Sequence, residues 1–377
     1  MLAIHQLLAD GPPDEEAIGA FLEAHQFPLN EGRSTTFVYR GKADEVRLRH
    51  WIYGLPSTLP FQHVAETDLW FLVEELPSGS RIEYKLEVVR KGRRRLVRDR
   101  SNPYLAHDPF GSNSVLHGRG YETPDWALED PDARPGEIAD LAIESKHLGG
   151  ARDFQVYLPP QLRTSRRYPL LVVHDGPDYL HYSSLKTVLD NLIYRQEVAP
   201  LIAVLTHSTD RLAEYAADPR HAAFVAEELV PAIEARLPID PRPAAHGLMG
   251  ASFGAVAALS TAWMYPQRFG RLLLQSGSFA FTDIGQSRRG EAFDPVVEFM
   301  NRFRAEPGRP ADKVFISCGQ YESLIYENRS LVPRLQETGM SVRWTEARDG
   351  HNWENWRDRL REGLSFLFPG PLWMVYE

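Results

Sequence analysis

From about residue 138 onward, short and almost wholly apolar runs alternate with helical windows, and this rhythm limits the possible folds more than any other feature. Such runs are typical of strands that are buried on both faces of a sheet. Their alternation with helices predicts a mostly parallel sheet covered by helices. We therefore expect an α/β domain over residues 143–377. The predicted strands are FQVYLPP, PLLVVHDG, LIAVLTH, AAHGLMGAS, RLLLQSGS, KVFISCG and VRWTEA.

The first third of the chain has a different pattern. Residues 14–25 carry apolar side chains at helical spacing behind an acidic start, which predicts a short helix. Runs rich in β-branched and aromatic residues follow, separated by turn residues, and they predict a small all-β domain of the sandwich type within residues 1–125. Residues 126–142 are rich in proline and acidic side chains, which predicts a linker. The predicted strands are TTFVYRG, EVRLRHWI, DLWFLVEEL and RIEYKLEVV.

Composition narrows the class of protein. A chain of 377 residues favours two domains over one. The net charge of -9 argues against general nucleic-acid binding, and the single cysteine, Cys318, excludes an internal disulfide. We recognise neither a leader peptide at the N-terminus nor an apolar window long enough to span a membrane. The expected location is the cytoplasm.

The pentapeptide GASFG places Ser252 between Gly250 and Gly254, after a predicted strand and before a predicted helix. This context is what gives a G-x-S-x-G pattern its meaning, because a sharp strand-to-helix turn exposes the serine hydroxyl at the edge of the sheet. The backbone N–H of Phe253 would then lie at a helix N-terminus, where it could stabilise an oxyanion. The alternative is a glycine-rich turn that serves packing alone.

A nucleophilic serine needs a base and an acid, which α/β-hydrolases supply in the chain order Ser, acid, His. His351 lies after the last predicted strand and before the last helix, where that fold would place its base, although a lone loop histidine is often only a surface residue. Glu322, just beyond the strand KVFISCG, is the preferred acid, with the role of orienting the imidazole. The rival acids are Asp294, Glu327 and Asp349.

A second oxyanion donor is expected in the loop after the strand PLLVV. Pro177 has no N–H, so the donor would be Gly176, Asp178 or a neighbour. The same loop also resembles a set of metal ligands, but spacing alone does not show converging geometry, and we expect loop structure and no metal. The side chains in question are His174, Asp175, Asp178 and His181.

Together these motifs carry a resemblance. The C-terminal region, with GASFGAVAAL, LLLQSGSF, SCGQYES and GHNWENWRDRL in that order, resembles the putative-esterase branch of α/β-hydrolases. The N-terminal region, with AFLEAHQFPL, TTFVYRG, DRSNP and DPFGSNSVL, is similar to the N-terminal domain of enterochelin (enterobactin) esterases, and this resemblance implies an immunoglobulin-like (E-set) domain. Ser252, Glu322 and His351 fall on the triad positions of that family. One departure is Ala255, where many members have a second glycine.

The resemblance also implies a substrate. Enterochelin esterases hydrolyse a cyclic catecholate trilactone, usually as its iron complex, and their N-terminal domain is thought to shape the pocket. Because the ferric catecholate is anionic, a basic pocket is expected, for which Arg211 and the run at residues 90–100 are candidates, although the run could equally be a solvated hairpin. Trp353 and Trp356 could line an aryl-binding cleft or pack in the core.

We thus expect a serine carboxylesterase that acts on a catecholate siderophore, with a small-molecule ester as its partner. Neither nucleic acid nor a membrane is expected to bind, and no cofactor is needed. One alternative is a feruloyl- or acetyl-type carbohydrate esterase with a glycan-binding N-terminal domain. The other, from a different class, is a binding protein on a hydrolase scaffold without catalysis.

Overall fold

A computed structural model describes residues 1–281 and 289–371. The chain forms two compact units. The first holds Met1–Glu122 together with two short segments from the C-terminal third, Gln320–Ser323 and Ala347–Asn352, and the second holds the rest of the chain. Within the described ranges, no helix has the length and apolar character that a membrane crossing requires.

The first unit begins with two helices, α1 (Ala3–Leu7) and α2 (Glu15–Ala24). Helix α2 confirms the helix predicted over residues 14–25. Asp14 caps it by accepting a hydrogen bond from the N–H of Ala17 at 2.8 Å, and the first turn carries two glutamates, which favourably oppose the helix dipole. Its apolar side chains Ile18 and Phe21 are buried against the first sheet described below.

Ten strands follow, and they form two antiparallel sheets. The first sheet has the order β1-β2-β6-β5 and the second β4-β3-β7-β10-β9, with β8 paired to β7. The two sheets share a core, to which Phe37 and Leu72 come from the first sheet and Leu48 and Leu86 from the second. The strands are β1 (Leu29–Glu31), β2 (Ser34–Arg40), β3 (Glu45–His50), β4 (Thr58–Pro60), β5 (Gln62–His63), β6 (Leu69–Glu75), β7 (Arg81–Arg90), β8 (Arg93–Val97), β9 (Leu105–Asp108) and β10 (Gly111–His117).

The second unit is built on an eight-stranded sheet of order β11-β12-β14-β13-β15-β16-β17-β18. Strands β14, β13, β15, β16 and β17 pair in parallel, whereas β11, β12 and β14 pair antiparallel, so the sheet is mixed and mostly parallel. The strands are β11 (Glu137–Ser145), β12 (Gly150–Leu158), β13 (Leu170–Val173), β14 (Ile202–Thr206), β15 (His246–Ala251), β16 (Arg271–Gln275), β17 (Lys313–Gly319) and β18 (Ser341–Ala347).

Helices cover both faces of this sheet, and the predicted α/β class is confirmed. Every residue of β13 is buried, with Val172 in the core beneath α8, α9 and α10 and Val173 in the core beneath α3, α4 and α12. A π-helical segment, Phe224–Leu229, joins α6 and α7. The helices are α3 (Gly176–Tyr182), α4 (Leu185–Tyr194), α5 (Arg211–Glu214), α6 (Pro219–Ala223), α7 (Val230–Glu234), α8 (Phe253–Met264), α9 (Asp294–Ala305), α10 (Ile325–Glu337), α11 (Trp353–Arg357) and α12 (Leu360–Leu367).

Residues 126–142, which we expected to form a linker, include the start of a strand and a buried tryptophan. Strand β11 begins at Glu137 and pairs along its whole length with β12. Before it, Trp126 is buried, and the amide of Asn191 on α4 donates to its carbonyl oxygen at 2.9 Å. The chain is therefore already packed into the second unit before residue 137.

Candidate active site

The turn between β15 and α8 holds Ser252 in an unusual conformation. Its backbone angles are φ 57° and ψ −121°, a region that L-residues rarely occupy and that costs about 1–3 kcal/mol. The turn is also tight, because a Cβ on Gly250 would lie 2.3 Å from the backbone C and O of Gly254. At Gly254 itself a Cβ would meet side chains, His174 at 3.3 Å and Asp175 at 3.4 Å. The two glycines thus permit a close strand-to-helix turn whose residue Ser252 is half-buried.

Hydrogen bonds fix the backbone of this turn on both sides. The N–H of Ser252 donates to the carbonyl of Gln275 at 3.0 Å, and its own carbonyl accepts from Ser278 N–H at 3.1 Å. The two serine hydroxyls, Oγ of Ser252 and Oγ of Ser278, lie 3.2 Å apart. Sequence reasoning did not single out Ser278. The one sequence feature that could have indicated it is its position just beyond the end of β16.

The two predicted oxyanion donors begin helices of the second unit. Phe253 is the first residue of α8 and Gly176 the first of α3, and the N–H groups of a first helical turn have no acceptor within their own helix. Gly176 packs so closely on β14 that a Cβ would lie 2.4 Å from Cα of Leu205. The other donor candidate, Asp178, lies inside the first turn of α3, and burial raises the pKa of its carboxyl group.

Arg211 is tied to the residue that precedes Gly176. Its Nε and Nη2 donate to the carboxylate of Asp175 at 2.7–3.0 Å, and Nη2 also reaches the carbonyl of Ala251 at 3.3 Å. The backbone N–H of Asp175 in turn donates to the hydroxyl of Tyr215 at 3.3 Å. The cation proposed for substrate binding is therefore partnered, and it links the loop after β13 to the residue before Ser252.

The predicted base and acid lie together in the two short C-terminal segments of the first unit. Nδ1 of His351 is 2.7 Å from Oε2 of Glu322. The Glu322 side chain is 1% exposed, whereas that of His351 is 39% exposed, so the acid is sheltered and the ring faces solvent on part of its surface. Glu322 follows the end of β17 and His351 the end of β18. A carboxylate so placed would fix the tautomer and orientation of the imidazole.

The three rival acids have other surroundings. Asp349 is buried beside the guanidinium of Arg81, with Nη1 to Oδ1 at 3.1 Å; burial raises its pKa to about 7, and Arg81 acts in the opposite direction. Glu327, on α10, accepts from Nη2 of Arg289 at 2.5 Å. Asp294 is exposed at the first residue of α9. Of the four candidates, Glu322 is the one with a hydrogen bond to the His351 ring.

The two tryptophans after His351 pack within the second unit. Trp356 is buried, its Nε1 donates to Oγ of Ser276 at 2.9 Å, and its ring lies 4.7 Å from that of Trp353. Trp353 is half-buried against the same core, and its carbonyl accepts from Ser183 Oγ at 2.7 Å. These contacts favour the core-packing alternative over an aryl-binding cleft.

The basic run at residues 90–100 spans the turn between β7 and β8, and every residue of β8 is exposed. This placement agrees with a solvated hairpin.

Two of the four side chains considered as metal ligands, those of His174 and Asp175, have other hydrogen-bond partners. Among residues 1–281 and 289–371, no group of three or more His, Cys, Asp or Glu side chains is arranged to hold a metal ion. Nδ1 of His174 lies 2.9 Å from the carbonyl of Met249, so this nitrogen donates and Nε2 accepts. Nε2 of His221, 3.1 Å away, is then the donor of a buried histidine pair. Burial lowers the pKa of both rings, so the pair is held neutral.

Comparison with known proteins extends these observations. The model of a family described as putative esterase matches residues 145–367, more than half of the chain. The iron(III) enterobactin esterase of Escherichia coli O6:H1 is 27% identical over 339 residues, which cover 81% of each protein. The region that matches the family model includes Ser252, Glu322 and His351.

Two solved structures share the fold. The enterobactin esterase of Shigella flexneri, crystallised in the presence of enterobactin, has a TM-score of 0.75 at 20% identity and covers 95% of this chain and 98% of that one. A ferulic acid esterase of Anaeromyces mucronatus, in complex with ferulic acid, has a TM-score of 0.55 at 18% identity and covers 64% of this chain and 94% of that one. With the family match over residues 145–367, these findings lead to one conclusion: the chain belongs to the putative-esterase family and is an esterase.

Proposed function

We propose that this chain is a serine carboxylesterase that hydrolyses the ester bonds of an enterobactin-like catecholate trilactone, taken up as its ferric complex. The observation that carries the serine assignment is the conformation of Ser252, held at φ 57° in a tight turn between β15 and α8. Strained backbone of this kind persists where the surrounding structure enforces it, and it is concentrated at functional sites. The proposed site of action is the cytoplasm, where iron would be released from the complex.

The choice of substrate is supported by which relatives match which part of the chain. The enterobactin esterases of Escherichia coli and Shigella flexneri match 81% and 95% of this chain, so both matches extend beyond the second unit into the first. The match to the ferulic acid esterase covers 94% of that enzyme but only 64% of this chain. About a third of this chain therefore has no counterpart in the ferulic acid esterase. A siderophore trilactone is therefore a better-supported substrate than a feruloyl ester.

The proposed reaction has two halves, both served by the same base. His351 removes the proton from Oγ of Ser252 as this oxygen attacks the ester carbonyl, and the tetrahedral intermediate then expels the alcohol, which takes the proton back from His351. Water, deprotonated by His351, attacks the acyl-enzyme and releases the carboxylic acid and free Ser252. The iron enters with the substrate and leaves with the product, and none of these proton transfers involves it.

Two further roles complete the proposal. Glu322, hydrogen-bonded to Nδ1 of His351, keeps Nε2 available as the base and stabilises the imidazolium after proton transfer. The backbone N–H groups of Phe253 and Gly176 hold the oxyanion. Gly176 is preferred to Asp178 because a carboxylate beside a developing oxyanion would oppose it.

The test compares ferric enterobactin and methyl ferulate as substrates for wild type, Ser252→Ala and Ser260→Ala, with products separated by chromatography. Ser260 is the matched control, because it is a buried serine of the helix that follows Ser252, α8, and its hydroxyl donates to the carbonyl of Ala257 in that helix. We expect wild type and Ser260→Ala to open the trilactone, and Ser252→Ala to lose about 10⁴- to 10⁶-fold in kcat.

Other outcomes would change the proposal in defined ways. Ser252-dependent cleavage of methyl ferulate alone would keep the serine and move the substrate to the feruloyl class. A loss below tenfold in Ser252→Ala would refute the nucleophile.

A further inference from the structure

An arginine of strand β7 is completely buried at the foot of the loop that carries His351. The side chain of Arg81 is 0% exposed, and its Nη1 donates to both oxygens of Asp349 at 3.1 and 3.3 Å and to Oδ1 of Asn352 at 2.9 Å. Its backbone N–H donates to the carbonyl of Arg348 at 2.9 Å. All of these residues belong to the first unit.

Stability alone is a weak reason for such a pair. Desolvation of two buried charges offsets most of their attraction, and replacing a buried ion pair by apolar side chains of similar size is often neutral or stabilising. A buried pair is better explained where it fixes a geometry. The pair formed by Arg81 and Asp349 does so, because its hydrogen bonds reach the backbone N–H of Gly350 before His351 and the side chain of Asn352 after it.

The carboxylate of Asp349 holds the loop immediately before and after the base. Oδ1 accepts from the N–H of Gly350 at 2.7 Å and from the amide of Asn352 at 2.8 Å. His351 is the one residue between these two. Arg81 binds both Asp349 and Asn352, so it fixes the two ends of the four-residue segment 349–352, which contains His351.

The segment that carries the acid is tied to the same place. The N–H of Tyr321 donates to the carbonyl of Asp349 at 3.1 Å, and the Tyr321 hydroxyl lies 2.6 Å from Oγ of Ser80, the residue before Arg81. Glu322 is the next residue along the chain. The backbones that carry Glu322 and His351 are thus joined through Asp349.

We propose that Arg81, acting through Asp349, is a positioning residue for catalysis: it sets the orientation of the His351 ring against Glu322. This inference rests on the proposed function, since it assigns His351 as the base. It also gives the first unit a role in the reaction beyond any contact with substrate. A misplacement of about 1 Å in a catalytic group lowers the rate by about 10²-fold, which is the size of effect expected here.

The experiment separates alignment from folding. Arg81→Met alone would leave Asp349 buried without its cation and could unfold the protein, so the main variant is the double substitution Arg81→Met with Asp349→Leu, which removes both charges of the pair. Glu83, the other carboxylate that Arg81 contacts, at 3.2 Å, is 12% exposed and keeps its hydrogen bond from the amide of Asn113 at 2.7 Å. The matched control is Arg47→Met on the neighbouring strand β3, where an arginine also pairs with a carboxylate, Glu87, at 2.8 Å. Each variant is measured for thermal unfolding, for kcat and KM with a p-nitrophenyl ester, and for the rate at which a fluorophosphonate labels Ser252.

We expect the double variant to unfold near the wild-type temperature, with kcat and the labelling rate about 10²-fold lower and KM changed less than threefold. The Arg47→Met control should keep kcat and the labelling rate. A well-folded double variant with kcat and labelling within threefold of wild type would overturn the positioning role and leave the proposed function standing.

A second variant covers the case in which the double variant does not fold. Asn352→Ala removes one tie of the turn without touching a charge, and we expect kcat to fall at least fivefold with KM unchanged. Unchanged kcat in this variant would overturn the inference as well. Absence of labelling at Ser252 in the wild-type protein would overturn the nucleophile assignment itself, and the positioning role with it.

Discussion

Replacing Glu322 by glutamine is the most direct test of the proposal that Glu322 is the acid of the site. In the wild-type protein the Glu322 carboxylate lies 2.7 Å from Nδ1 of His351, and the charges of a carboxylate and an imidazolium in that contact are centred about 4 Å apart. At an effective dielectric constant of about 20 their attraction is ~4 kcal/mol. Because the His351 side chain is 39% exposed, solvent screens part of this attraction, and ~2–3 kcal/mol is the expected share.

Glutamine has the same shape and can still accept from Nδ1, so the substitution removes the charge and little else. We expect kcat/KM for a p-nitrophenyl ester to fall about 30- to 150-fold, since each 1.4 kcal/mol is a factor of ten. Glu327→Gln is the control, because Glu327 is a buried carboxylate on the next helix that is bonded to Arg289. If Glu322→Gln stays within threefold of wild type, or if Glu327→Gln loses more activity, the assignment of Glu322 as the acid is wrong.

Two further predictions concern packing and pH. Gly176→Ala would place a Cβ 2.4 Å from Cα of Leu205, so we expect the free energy of unfolding to fall by about 1–3 kcal/mol and kcat to fall more than tenfold. Gly19→Ala in α2 is the control, because no described atom lies within 4 Å of the new Cβ, and it should raise the free energy of unfolding by about 1 kcal/mol. Urea denaturation and steady-state kinetics check both variants. Both His174 and His221 have lowered pKa values in the folded protein, so below about pH 6.5 the unfolded chain binds more protons than the folded one. The free energy of unfolding therefore falls as the pH falls, by up to about 1.4 kcal/mol per pH unit for each histidine. His221→Gln should make this acid slope shallower in urea denaturation between pH 7.5 and 5; identical slopes would contradict the neutral pair.

Much of the second unit could be predicted from the sequence because its strands are buried on both faces. Strands β13, β14 and β15 have no exposed residue, so each is a continuous apolar run. Strand β11 was missed for the opposite reason: its residues alternate between exposed and half-buried, and it follows a segment rich in proline and acidic residues. An edge strand of that composition resembles a linker in sequence, although it pairs with β12 over nine residues.

The residues of the candidate site also differ in whether the sequence could predict them. Chain order relative to the strands was enough to select Ser252, Glu322 and His351 as candidates, because each follows the end of a strand. The partners of Asp349 could not be found in this manner. Arg81 is 268 residues away in sequence, on a strand of the other predicted domain, and no local pattern links the two side chains. Asp349 was considered only as a rival acid, whereas its carboxylate accepts hydrogen bonds from the N–H of Gly350 and the side chain of Asn352, on either side of His351, and from Arg81.

Three of the residues with positive φ in the second unit give a reason, independent of any relative, to propose that the chemistry takes place at one edge of its sheet. Asp175, Ser252 and Ser276 all have positive φ, at 55°, 57° and 45°, and none of them is a glycine. Ser252 and Ser276 follow directly on the ends of the parallel strands β15 and β16, and Asp175 lies two residues beyond the end of β13. A single such residue costs about 1–3 kcal/mol, and turns that served packing alone could relieve that cost with glycine or asparagine. Beyond three adjacent strand ends the chain instead has a polar side chain at the strained position. This choice is explained if these side chains, and the backbone N–H groups beside them, contact a substrate at this edge of the sheet.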